Sequence, residues 1–141
     1  MPASPDTVMR TWFEDVWNQG KEETIDRLFA TDGLGHGLPG DGPLRGPEAF
    51  KPFFRNFRGA FPNIRVDVIR TVTEGDMVAV HCHVTGTHTG HHLGIAATGK
   101  PAEFSGMCIA RIRNGQIVEA WNSFDFLTFY QQLGVLPRLP A

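Results

Sequence analysis

EFSGMCIARIRNGQIVEAWNSFDFLTFYQQL, residues 103–133, reads as two strands, a tight turn and a short closing helix. Asn114-Gly115 separates two runs of alternating apolar residues. A two-residue hairpin turn needs positive φ, which Asn and Gly tolerate, so this dipeptide is the strongest hairpin signal in the chain. The second strand carries Trp121 and Asn122, with Asp125 close behind. A carboxylate among apolar side chains loses hydration, so its pKa rises and it becomes a usable proton carrier near neutral pH. Asp125 is therefore a candidate acid/base. It also precedes the closing helix, where Asp is a favoured N-cap, and capping fits the position equally well.

Upstream of the hairpin the period changes. Ile64, Val66, Val68 and Val72 alternate with polar residues, Glu74-Gly75-Asp76 is a turn, and Met77–Thr87 is a strand apolar on nearly every residue, as if covered on both faces. Residues 88–100 form a Gly- and His-rich loop. Before residue 64 the period is helical. Ser4-Pro5-Asp6 opens a helix whose stripe is Val8, Met9, Trp12, Phe13, Val16 and Trp17, ending at Gly20. A second helix over 22–29 buries Ile25, Leu28 and Phe29. Residues 30–46 hold six glycines and two prolines and read as a loop. Gly46-Pro47-Glu48 starts a third helix with Phe50, Phe53, Phe54, Phe57 and Phe61 in its buried row, and Pro52 predicts a kink or a late start. Helices first and strands after indicate an α+β domain over residues 1–141, with N-terminal helices packed on one face of a curved antiparallel sheet.

The chain has 141 residues and a net charge of −2, so no basic field invites nucleic acid. No apolar run reaches membrane-spanning length, and MPASPDT has no signal pattern, which points to the cytoplasm. Cys82 and Cys108 lie inside apolar strand runs and read as buried free thiols. Eleven Phe and three Trp against one Tyr give a large aromatic interior, either plain core or a pocket for a flat apolar ligand.

Gly35-His36-Gly37-Leu38-Pro39-Gly40 copies the glycine spacing of a dinucleotide fingerprint, but neither a βαβ unit nor a helix N-terminus accompanies it. His81 and His83 share one strand face and, with His88, form a three-histidine candidate for a metal. The alternative is hydrogen-bonded histidines lining a cavity or a subunit face. Lys21, Lys51 and Lys100 fall on helix surfaces or in loops, which disfavours imine chemistry. Ser4, Ser105 and Ser123 lack a nucleophile-elbow context. Acid–base chemistry through Asp125 with a histidine partner remains.

FRNFRGAFPNIRVDV (54–68), EGDMVAVHCHVTGTHTG (74–90), ATGKPAEFSG (97–106), ARIRNGQIVEAWNSFD (110–125) and QQLG (131–134) together resemble the SnoaL-like polyketide cyclases, often called ester cyclases. These belong to the ketosteroid isomerase and nuclear transport factor 2-like superfamily. The resemblance spans about residues 6–134. It implies a cone-shaped α+β barrel, cystatin-like in outline, with one deep apolar pocket. It also implies an Asp near the end of the last long strand acting as general acid/base in an intramolecular aldol closure, helped by a His. The matching acid is Asp125, and Asn122 stands where relatives often carry a second acid. The neighbouring strand offers Met107, Cys108 and Arg111 rather than His, so a proton partner must come from His81, His83 or His36.

The expectation is thus a cofactor-free cyclase, or an isomerase, hydratase or hydrolase of the same superfamily, acting on a small apolar or aromatic molecule. Trp17, Phe53, Phe57, Met107 and Trp121 are the expected pocket lining, with Asn122 and His88 as polar contacts. A homodimer or higher homo-oligomer is expected through the convex sheet. Two other functions fit the sequence: a non-catalytic small-molecule binder of the same fold, and a metal enzyme using His81, His83 and His88.

Overall fold

The computed structural model describes residues 2–138 and Pro140. Ser4 opens α1 (Pro5–Thr11) by accepting the Thr7 N–H at 3.3 Å. The helix then widens into a π-helical segment, Trp12–Asn18, which buries Trp12, Phe13, Val16 and Trp17. Asn18 ends it by clamping a strand, donating to the Val66 carbonyl at 2.9 Å and accepting the Val66 N–H at 2.6 Å. α2 (Glu22–Leu28) leads directly into β1 (Phe29–His36). β2 is two residues, Leu44–Arg45, and α3 runs Gly46–Ala60. Pro52 lies inside α3 without delaying its start. Arg55 joins α3 to α2 through a two-bond contact with Glu22, both bonds 2.7 Å.

β3 (Arg65–Glu74), β4 (Met77–Thr87), β5 (Pro101–Arg113) and β6 (Gln116–Phe124) follow, and α4 (Phe126–Gln132) closes the chain. Asn114 at φ 52° and Gly115 at φ 75° form the hairpin turn that their side chains predict. The six strands make one sheet in the order β2-β1-β6-β5-β4-β3. The α+β arrangement is as expected, and the helices cover one face of the sheet.

Three sequence expectations change. Residues 30–46 are not a loop throughout: β1 occupies their first half and pairs in parallel with β6, so the sheet is mixed rather than wholly antiparallel. Gly33 and Gly35 supply no side chain to the alternation, which hid the strand. β4 is covered on one face only: Val78, Val80, Cys82 and Val84 are buried, while Met77, Ala79, His81 and His83 between them are partly exposed. The second helix stops at Leu28, and Phe29 is buried from β1.

β5 sets the inside and outside of the sheet. Ala102, Phe104, Cys108, Ala110 and Ile112 point to the helices and are buried, and Met107 and Ile109 point away and are exposed. The core is aromatic. Phe57 touches Trp17, Phe53, Phe61, Phe126 and Phe129, with ring centroids 5.6–6.3 Å apart. Each such pair adds about 0.5–1.5 kcal/mol beyond area burial. Among the described residues no helix is long and apolar enough to cross a membrane.

Candidate active site

Between the helices and the inner face of the sheet lies an apolar cavity of about 80 Å³. Helical residues Trp12, Trp17, Phe53 and Phe57 form one wall, and sheet residues Gly35, Cys108, Ala120, Asn122 and Phe124 form the other. Leu38, Phe53, Asn122, Phe124 and Phe126 are its partly exposed lining residues, so they mark where it opens. The space is below the roughly 300–1,000 Å³ of a typical ligand site, so a sizeable ligand enters only if rim side chains turn aside.

The lining holds no Asp, Glu, His, Lys or Arg. Its polar side-chain groups are the Asn122 amide, the Cys108 thiol and the indole N–H groups of Trp12 and Trp17; Asn122 and Cys108 stand opposite each other across β5 and β6. Burial, with Cys82 close by, pushes the Cys108 thiol up to about 12, so it stays protonated and unreactive at neutral pH. Asn122 Nδ2 donates to the His36 carbonyl at 2.9 Å. Its Oδ1 takes no bond from the described residues and, with the second N–H, is left for a ligand.

Of the expected lining, Trp17, Phe53, Phe57 and Asn122 belong to the cavity. Met107 and Trp121 do not. Each neighbours an inward residue, Cys108 or Asn122, and a strand's period of two sends it to the outer face. Asp125 is also outside the cavity. It caps α4, accepting the Thr128 N–H at 3.0 Å and the Thr128 hydroxyl at 2.6 Å. Those two bonds hold its carboxyl below the usual carboxylate range, opposite to the raised pKa expected of a desolvated acid. His81 and Asp125 line a second, more open groove of about 490 Å³ with Ser105, Gly106, Met107, Ser123 and Phe124, and of these Phe124 also lines the cavity.

The remaining histidines disperse. His83 faces outward and pairs with Glu103 at 2.9 Å. His36 pairs with Glu119 at 2.7 Å on that same face and stacks on Trp121. His88 is fully buried, but it lies against Phe61 rather than in the cavity lining. His81, His83 and His88 therefore do not converge, and no group of three metal-binding side chains occurs among the described residues. The sequence reading missed Trp12, Phe29, Leu38 and Phe126 as lining. The stripe that carries Trp17 could have yielded Trp12, while Leu38 sits in a glycine-rich segment with no periodic signal.

A profile of SnoaL-like polyketide cyclases matches residues 7–133. The chain is 29% identical over 122 residues to aklanonic acid methyl ester cyclase DnrD of Streptomyces peucetius, covering 85% of this chain and 84% of that protein. Wild-type IdmH from Streptomyces antibioticus superposes with a TM-score of 0.82 at 33% identity, over 94% of this chain and all of IdmH (100%). A Catenulispora acidiphila protein with a ketosteroid isomerase-like fold matches at TM-score 0.78 and 17% identity, over 98% of this chain and 100% of that one, a likeness of fold alone. By the extent of the profile match, the chain belongs to the SnoaL-like polyketide cyclase family, and it is an enzyme of the cyclase/isomerase type.

Proposed function

We propose that the protein closes a ring within an apolar, polyketide-like chain by folding that chain inside the cavity, with Asn122 holding a substrate oxygen. The observation that carries this reading is a lining almost wholly apolar and aromatic, with one side-chain amide free to bind. In an aldol closure a methylene flanked by two carbonyls is already acidic, so water or hydroxide admitted at the mouth can remove its proton. The enolate carbon then attacks a ketone carbon, one C–C bond forms, and the new alkoxide takes a proton from water. Asn122 hydrogen-bonds the enolate or alkoxide oxygen as charge develops there. Holding the two carbons in reacting geometry can supply up to about 7–11 kcal/mol in well-oriented intramolecular cases. Chemistry of this kind needs no bound cofactor.

The test uses aklanonic acid methyl ester, the compound for which the DnrD relative is named. The expected product has unchanged mass and a new chromatographic retention. Its rate should fall about 10²-fold in Asn122→Leu, as for loss of an oxyanion donor. Because the Cys108 thiol, held at about 12, is the one titratable side chain among the described lining residues, log(kcat/KM) should rise with pH without an inflection between about pH 5 and pH 8. A bell-shaped profile, or equal rates in the Asn122→Leu variant, rejects the mechanism. A lining with no Asp, Glu, His, Lys or Arg among the described residues also favours a second reading, a binder without turnover, and a ligand recovered unaltered would select it.

We propose also that the protein is a homodimer through the outer face of the sheet. Val72, Ala79, Ile109 and Trp121 are successive cross-strand partners, forming an apolar row across β3, β4, β5 and β6. Val72, Ile109 and Trp121 in this row are exposed, as is Met107 beside it.

A further inference from the structure

Asn122 is held from outside the cavity. β1 and β6 run parallel at this point, with Gly35 opposite Ala120 and His36 opposite Trp121. Gly35 lines the cavity, so alternation sends the His36 ring to the outer face. There Nε2 meets Glu119 Oε2 at 2.7 Å, and the ring stacks on Trp121 with centroids 5.8 Å apart and planes at 15°. Gly37 follows at φ +77°, where a β-carbon would overlap the Asn122 carbonyl. The end of β1 is thereby gripped through the sheet, ring on one side and carbonyl bonded to the amide at the other.

We infer that His36 is a positioning residue: Glu119 and Trp121 fix its ring on the outer face, so that its carbonyl sets the orientation of the Asn122 amide in the cavity. This deepens the role given to Asn122 above and rests on that role for the ligand half of its test. With one N–H committed to His36, the amide offers one acceptor and one donor. The walls offer no cation. The ligand class is therefore an apolar body with one hydrogen-bonding oxygen, such as an enol, phenol or ketone, and not a carboxylate or phosphate.

The first readout needs no ligand: the side-chain amide resonances of Asn122 in ¹⁵N–¹H spectra. Glu119→Ala and His36→Ala are expected to shift them. Glu119→Gln, which can still accept from His36, restores them. Glu103→Ala, which breaks the His83 pair on the same face, leaves them in place. Sedimentation of each variant keeps changes of assembly separate. Asn122 resonances unmoved in both Glu119→Ala and His36→Ala overturn the inference.

The second readout is binding of 2-naphthol against naphthalene. Loss of one neutral hydrogen bond should lower the preference for 2-naphthol by about threefold to tenfold in Asn122→Leu, His36→Ala and Glu119→Ala. A preference lost only in Asn122→Leu also overturns the inference. If the unaltered protein has no preference, the ligand role of Asn122 fails, and the spectra alone decide the positioning role.

Discussion

Asp125 is an exposed carboxylate tied to the helix it starts. Its bonds to the Thr128 hydroxyl and N–H lower its pKa from an ordinary 3.8. A carboxyl with a lowered folded pKa contributes stability above its unfolded pKa, and that stability is lost as pH falls through the folded value. Asp125→Ala should cost about 1 kcal/mol, the usual value of an N-cap, read as a lower urea midpoint at neutral pH with the difference shrinking in strong acid. Asp125→Asn keeps a capping oxygen and should show cyclisation rates equal to the parent; a large loss of rate with the fold intact would restore it as a base. The sequence made this residue ambiguous because an acid beside aromatics fits a cap and a catalyst alike. Trp121 and Met107 misled for a different reason. Which parity of a strand faces inward depends on where the helices pack, and Asn122 and Cys108 carry the inward parity here.

The segment from His88 to Lys100 shows what an element can do with imidazole nitrogens as acceptors. His88 N–H donates to the Lys100 carbonyl at 2.9 Å, and Gly99 N–H donates to the His88 carbonyl at 2.8 Å. His88 Nδ1 accepts the Thr98 N–H at 3.2 Å, and His91 Nδ1 accepts the Ala97 N–H at 2.8 Å. His88 Nδ1 accepts only while unprotonated. Burial against Phe61 and the nearby His91 lower the His88 pKa from 6.5, and the Gly90 carbonyl opposes them in part. The folded state thus binds this proton less readily than the unfolded one. The contribution to stability is intact above the unfolded pKa and declines as pH falls below it. Acidification from about pH 7.5 to about pH 5.5 should lower the protection factor of the Thr98 amide, so that its exchange slows by less than the intrinsic pH effect alone dictates. His88→Phe, which can still stack on Phe61, should remove that step at Thr98, and an unchanged step would reject it. Elements with a clear period were legible: α3, β3, β4 and the hairpin fall where their patterns place them. β1 was not: at Gly33 a β-carbon would run into the Phe29 ring and the Ile117 carbonyl, so the sheet accepts that residue for its smallness, and smallness leaves no trace in an alternation.

At the scale of the whole molecule, the outer row Val72–Ala79–Ile109–Trp121 predicts assembly. Ile109→Lys should convert a dimer to a monomer in analytical ultracentrifugation while leaving the circular dichroism unchanged; a parent protein monomeric at about 100 μM would refute the dimer, since a stable interface of standard size holds well below that. The two faces of one sheet would then divide the labour, assembly outside and ligand inside. The parallel pairing of β1 with β6 adds a matter of timing. Asn122 and the His36 carbonyl it binds are 86 residues apart in the chain. Closing so long a loop costs entropy that local hairpins do not pay, so β3, β4 and β5 can zip together before β1 has anywhere to dock. Pulse-labelled hydrogen exchange during refolding should find β4 amides protected before those of β1, and simultaneous protection would contradict this order. A growing chain on the ribosome would likewise carry its row of phenylalanines bare until the final hairpin emerged, making the late-made strand the step at which a partly built chain is most exposed to aggregation.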